Sequence, residues 1–283
     1  MGQIEFISVL GTGIMGIDIG ILTALNYSKV FLWHRKDKSI ALERLNHRLD
    51  NYVEKDILNS SERETVLNNI QTCDSLKEVC KSDLIIESIS ENFNIKYDLF
   101  DFITRFSSNN SIVVSNTSSL SIDSLSNAFT VSDRFAGLHF FNPVLRIELI
   151  EVIKGAKTSI ETIDTLKYFC STIGKTPIHV KDSPGFIVNR LMAAQINQAI
   201  KLLEQGVATE EDIDGAIKLG LLHPIGPLAL ADLIGLDVFK DILESLYERT
   251  NDMTFKSPDC LKRKIESGFL GRKAGRGFYT YGK

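Results

Sequence analysis

Short apolar runs alternate with helix-length segments through the first two-thirds of the chain. Residues 4–10 are rich in β-formers and lead directly into a glycine-rich stretch that reads as helical up to residue 26. A second strand is expected at Val30–Trp33, and residues 38–69 are mostly polar with spaced apolar positions, which predicts long surface helices. Further strands are expected at Leu84–Glu87 and over residues 111–115, 135–139, 148–154 and 176–180. Strands alternating with helical patterns predict a mostly parallel sheet with helices on both faces.

The pattern changes at Ser183-Pro184-Gly185. Beyond it, residues 186–204, 209–219, 227–249 and 257–267 read as helices with no strand between them, and Thr209 with Asp212 marks one helix start. The expected fold is α/β: a Rossmann-type doubly wound sheet over residues 1–183, followed by an all-helical domain over residues 184–283. The cleft between two such domains is the default place for a ligand.

Composition narrows the function classes. With 283 residues, 43% hydrophobic and 24% charged, the chain is long and apolar enough for two packed domains. Its formal charge of −4 supplies no basic field for nucleic acid or an anionic membrane. Cys73, Cys80, Cys170 and Cys260 show no metal-finger spacing, so free thiols in a reducing compartment and no metal site are expected. The apolar stretch over residues 6–25 is interrupted by Asp18 and by Gly11, Gly13, Gly16 and Gly20, and Phe6 stands where a myristoylation signal needs Ser or Thr. No targeting or membrane-spanning segment is read, and the expected location is the cytoplasm.

Those glycines carry chemistry. Gly11-Thr12-Gly13-Ile14-Met15-Gly16 follows an apolar strand and opens a helical pattern, the context in which G-x-G-x-x-G signals a dinucleotide site. Gly11 permits the tight turn, Gly13 lets backbone N–H groups approach a pyrophosphate, and Gly16 allows close helix–strand packing. At the end of the second strand, Asp or Glu usually takes the ribose hydroxyls, but this chain has Trp33-His34-Arg35-Lys36. Arg35 can pair with a 2′-phosphate; alternatively His34 and Arg35 decorate a turn while Asp37 or the backbone serves the ribose. NAD and NADP both stay open.

Downstream stand Asn116-Thr117-Ser118-Ser119-Leu120-Ser121, His139-Phe140-Phe141-Asn142-Pro143, Glu151-Val152-Ile153 and Pro184-Gly185-Phe186-Ile187-Val188-Asn189-Arg190. His139 and Asn142 lie at the carboxyl edge of the expected sheet, where open α/β folds bind ligands. With GTGIMG at the start and GRKAGRGFYTY at the end, these motifs in this order resemble the 3-hydroxyacyl-CoA dehydrogenases, of the short stand-alone 3-hydroxybutyryl-CoA type, over nearly the whole chain.

The resemblance implies hydride transfer between a nicotinamide cofactor and C3 of a 3-hydroxyacyl or 3-ketoacyl thioester. His139 is then the general base and Glu151 the carboxylate that orients it. Ser118 and Asn189 would hold the substrate oxygens, with Asn142 beside them. Glu91, Lys96, Asn116 and Lys273 match family positions near the nicotinamide ribose, and a homodimer is implied.

Three departures bear on the substrate: His34 in place of an acid, the charges of Leu145-Arg146-Ile147-Glu148, and a helix over residues 48–57 where acidic residues dilute the basic ones. The last predicts weaker docking of coenzyme A phosphates. An acyl carrier protein presenting the hydroxyacyl group, as in polyketide extender-unit synthesis, is the alternative enzyme reading, with Arg146, or Arg105 and Arg134 together, as its basic contact. A catalytically silent nucleotide-binding protein on the same scaffold is the non-enzymatic alternative.

Overall fold

The computed structural model describes residues 4–35 and 38–282. By contact density the chain divides into two compact units, Met1–Ser183 and Pro184–Lys283.

The first unit is built on eight strands: β1 (Ile7–Leu10), β2 (Val30–Trp33), β3 (Ile70–Cys73), β4 (Leu84–Glu87), β5 (Ile112–Ser115), β6 (Phe135–Phe140), β7 (Leu149–Lys154) and β8 (Thr176–Lys181). They form one sheet in the order β3-β2-β1-β4-β5-β6-β7-β8. Every neighbouring pair is parallel except β6 and β7, which run antiparallel with His139 opposite Glu151. The interleaved helices are α1 (Ile14–Ala24), α2 (Lys38–Glu54), α3 (Ser60–Asn69), α4 (Leu76–Val79), α5 (Phe93–Phe106), α6 (Ile122–Ser126) and α7 (Ile160–Thr172). This is the Rossmann-type α/β fold expected from the sequence.

The central strands β1, β4 and β5 are buried along their whole length, which is why they read as continuous apolar runs. Val9, Leu32, Ile86, Val114 and Leu138 meet in one core. A polar residue inside such a strand needs a partner, and each finds one. Ser8 bonds Ser82 at 2.6 Å, Ser115 bonds Glu87 at 2.5 Å, and His139 bonds Glu151 at 2.8 Å.

The second unit is helical: α8 (Val188–Glu204), α9 (Glu210–Gly220), α10 (Pro227–Ile234), α11 (Leu236–Thr250) and α12 (Asp259–Glu266). Its core gathers Ile196, Leu228, Phe239, Leu243 and Leu261. Two buried acids knit the closing segment to these helices. Asp232 accepts the backbone N–H groups of Phe278 and Tyr279, each at 2.9 Å, and Asp214 accepts the Tyr279 hydroxyl at 3.0 Å.

Two details differ from the sequence reading. The polar stretch before residue 70 ends in a strand, β3, that the helical pattern concealed. The helix expected over residues 227–249 is two helices, broken at Gly235, whose φ of +100° no helix tolerates. The sheet is mostly parallel, as expected, with its one reversal at β7, so β7 and β8 oppose the rest. Among the described residues no helix is long and apolar enough to cross a membrane, and no cluster of three or more His, Cys, Asp or Glu could hold a metal.

Candidate active site

The turn after β1 is shaped for a dinucleotide. Gly11 has φ +124°, and a Cβ there would lie 2.4 Å from the Ser88 carbonyl oxygen. A Cβ on Gly16 would lie 2.1 Å from the Gly11 carbonyl oxygen, so α1 packs against the turn at a distance only glycine allows. At Gly13 nothing stands within 4 Å of that position, and Gly13 is the N-cap of α1 with no side-chain cap. The orphan N–H groups of the first turn thus sit behind an open approach, which suits a pyrophosphate.

That approach is the edge of a cavity of about 860 Å³ within the first unit. Gly11, Gly13, Ile14 and Met15 form its floor, and Ser88, Glu91, Asn116 and Ser118 form the wall beyond β4 and β5. At the β2 end, Trp33, His34 and Arg35 meet Leu76, Leu99 and Phe102, an apolar slot with a basic rim that suits an adenosine. His34 is only 4% exposed, and its Nδ1 is buried without a hydrogen-bond partner among the described residues. Lys36 and Asp37, which the sequence reading also placed here, lie outside the described residues. The residues present therefore fit a nicotinamide dinucleotide.

Behind the wall runs a charged chain. Glu87 on β4 and Lys96 on α5 are buried to 0% and 1% exposure, and Lys96 Nζ lies 2.5 Å from Glu87 Oε1. Lys96 also reaches Glu91 Oε2 at 3.3 Å. Glu91 in turn gathers the loop after β5: Thr117 Oγ1 donates to it at 2.5 Å, Ser118 N at 3.0 Å and Ser119 Oγ at 2.9 Å. Burial alone would raise the Glu91 carboxyl; Lys96 and these donors outweigh it and hold the group below the usual carboxylate range. Burial pushes Glu87 upward against the pull of Lys96, Ser115 and the Ile89 amide. Lys96 thus does not line the cavity. It acts through Glu91, which does, and Glu91 fixes the loop that presents Ser118.

The catalytic candidates stand on the antiparallel pair. His139 Nδ1 lies 2.8 Å from Glu151 Oε2, with the two residues 5% and 1% exposed. The Phe141 ring packs against the imidazole, with centroids 4.4 Å apart. Asn116 connects this pair to the cavity: its side-chain oxygen accepts the Phe140 N–H, and its amide donates to Ser88 Oγ at 3.2 Å. Asn142 follows, exposed, joined to Pro143 by a cis peptide bond.

Two sequence candidates belong to the helical unit. Asn189 sits in the first turn of α8. Lys273 is half-exposed and forms a two-pronged ion pair with Asp237, 2.6 Å to each carboxylate oxygen. The Asp237 carboxyl is held low by that Lys273 bond first.

The sequence reading missed several partners. Arg48, read only as the start of the segment where coenzyme A phosphates would dock, grips buried Asp18 through two bonds of 2.7 and 2.6 Å and stacks over Tyr52. Glu87 drew no notice because a carboxylate at a strand end looks ordinary. Lys175 drew none either, since nothing in its neighbours foretells that its ammonium is buried.

Comparison with known proteins identifies the family. Residues 6–183 match the family model for the 3-hydroxyacyl-CoA dehydrogenase NAD binding domain, and residues 185–281 match that family's C-terminal domain. The chain is similar to the mitochondrial hydroxyacyl-coenzyme A dehydrogenase of Rattus norvegicus, 39% identical over 98% of this chain and 91% of the relative. It is likewise similar to the 3-hydroxybutyryl-CoA dehydrogenase of Clostridioides difficile, 38% identical over 98% and 99%. Among solved structures, an (S)-3-hydroxybutyryl-CoA dehydrogenase from Ralstonia eutropha superposes with a TM-score of 0.93, at 36% identity and covering 99% of this chain and 100% of that one. The chain belongs to the 3-hydroxyacyl-CoA dehydrogenase family.

Proposed function

We propose that this protein is a nicotinamide-dependent oxidoreductase that interconverts a 3-hydroxyacyl-CoA and the corresponding 3-ketoacyl-CoA. The observation that carries the reading is the buried His139–Glu151 pair, joined through Asn116 to the wall of a dinucleotide-shaped cavity. An ionised carboxylate only accepts, so Nδ1 of His139 holds the proton and Nε2 is the basic nitrogen. In the oxidative direction Nε2 takes the proton of the 3-hydroxyl group. The bound nicotinamide supplies the hydride acceptor that no side chain can provide. Glu151, dry and close, stabilises the imidazolium that results, and the reverse reaction returns that proton to the ketone oxygen. Ser118 and Asn189 take the substrate-oxygen roles that the family resemblance assigns them, with Asn142 as a further substrate contact beside them.

Within this reading NAD is the family's cofactor. NADP is favoured by one local feature: the imidazole of His34 and the guanidinium of Arg35 stand at the end of β2, where a carboxylate would repel a 2′-phosphate. Coenzyme A is the thioester carrier. The carrier-protein alternative loses much of its basic surface, because Arg105 pairs with Asp101 and Arg134 faces Glu161 at 3.9 Å, leaving exposed Arg146. Homodimerisation through the helical unit is supported by its exposed apolar side chains, Leu191, Leu219 and Leu222 being 66%, 82% and 87% exposed.

The test is the initial rate of acetoacetyl-CoA reduction with NADH and with NADPH in parallel. Turnover with either is the expected result, and the ratio assigns the cofactor. No turnover with both, while nucleotide still binds, would reject the coenzyme A reading.

A further inference from the structure

The connection from His139 to Glu151 is a loop, residues 141–148, three of whose carbonyl groups face one buried side chain. Backbone bonds hold only part of it: Arg146 N and Ile147 N both donate to Pro143 O at 3.0 Å, and Thr176 N donates to Glu148 O at 2.8 Å. The carbonyls of Val144 and Ile147 point instead at one atom, Lys175 Nζ, at 2.7 Å each, with Leu145 O at 3.5 Å. Lys175 is 7% exposed and stands in the turn between α7 and β8, its own N–H fixed to Cys170 O at 2.9 Å.

An ammonium with three donors is thus matched to three carbonyls, as a bound cation would be. No ion pair to Lys175 is present among the described residues, so the loop carbonyls take the place of its water. Removing the ammonium would leave the carbonyls of Val144 and Ile147 without this donor. We propose that Lys175 is a positioning residue for the thioester, clamping the loop that joins the His139 strand to the Glu151 strand and carries Asn142 and Arg146. The proposal rests on the dehydrogenase reading for its substrate, but the clamp itself is independent of it. Burial lowers the Lys175 pKa, opposed by the Glu148 carboxylate on the loop, so the clamp opens at a lower pH than an ordinary lysine would titrate.

The test compares the wild type with Lys175→Met and Lys175→Arg by three readouts. These are hydrogen exchange of the Arg146 and Ile147 amides, steady-state kinetics with acetoacetyl-CoA, and cofactor affinity. Lys175→Met should lose about tenfold or more of loop protection and raise the thioester KM by about tenfold, with kcat and cofactor Kd changed less than about threefold. Lys175→Arg should recover most of both losses and move the alkaline fall in kcat/KM to higher pH. Unchanged loop protection, or an equal loss of cofactor affinity, would overturn the proposal. If Lys175→Met does not fold, Lys175→Gln is read by the same hydrogen exchange, and unchanged loop protection in it would overturn the proposal instead. Should the wild type turn over no thioester, the dehydrogenase reading fails while hydrogen exchange still decides the clamp.

Discussion

The side-chain oxygen of Asn116 accepts the backbone N–H of Phe140 at 2.9 Å, so one residue is both cavity wall and bracket for the strand that carries His139. Neighbouring parallel strands β5 and β6 pair only up to Ser115 and Gly137. Asn116 continues that pairing with a side chain, at the point where the strands must part to admit a ligand. Its loss should misplace the base more than it weakens the nucleotide. Asn116→Ala is expected to lower kcat/KM for the thioester by about tenfold, the worth of one or two buried hydrogen bonds. Cofactor titration of the same variant should show a smaller change.

The glycine loop gives two variants with opposite signatures. Gly16→Ala forces a methyl against the Gly11 carbonyl and should destabilise the fold by about 1–3 kcal/mol, read as a lower Tm. Gly13→Ala meets no protein atom, so its Tm should match the wild type. Its methyl instead enters the space a pyrophosphate would approach, and dinucleotide affinity should fall about tenfold or more. Equal Tm losses in both would contradict the assignment of this loop.

Lys96 offers a pH test. With Glu87 fully buried beside it, Lys96→Met should cost about 3–5 kcal/mol near neutral pH, because a carboxylate is left unpaired in the interior. The cost should shrink on acidification as Glu87, already pushed upward by burial, takes a proton. Glu91 behaves oppositely. Its folded carboxyl is held below the unfolded value, so its contribution is complete above the ordinary carboxylate range and is lost as pH falls through the lower folded value. Glu91→Gln should therefore flatten the acid limb of the stability profile, measured by urea unfolding across pH.

The parts of this molecule that were legible in the sequence are those set by local pattern. The β1–glycine loop–α1 unit and the His139 and Glu151 strands carry their own signals, as does the change to helices at Pro184. Direction is not a local property: β7 reads the same whether it runs parallel or antiparallel to β6, yet only the antiparallel register sets Glu151 opposite His139. β3 is four residues with two polar positions, too short to outweigh the helical pattern before it. The grip of Arg48 on Asp18 spans thirty residues, and Lys175 reaches a loop some thirty residues earlier. Such contacts depend on packing between elements, which no window along the chain contains.

The most direct test of the central claim is acetoacetyl-CoA reduction by His139→Ala, measured beside the wild type with the cofactor Kd of each. Loss of about 10²–10⁴-fold in kcat with cofactor affinity nearly unchanged is the predicted result. A variant that turns over at close to the wild-type rate would show that the His139–Glu151 pair is structural and that the chemistry lies elsewhere.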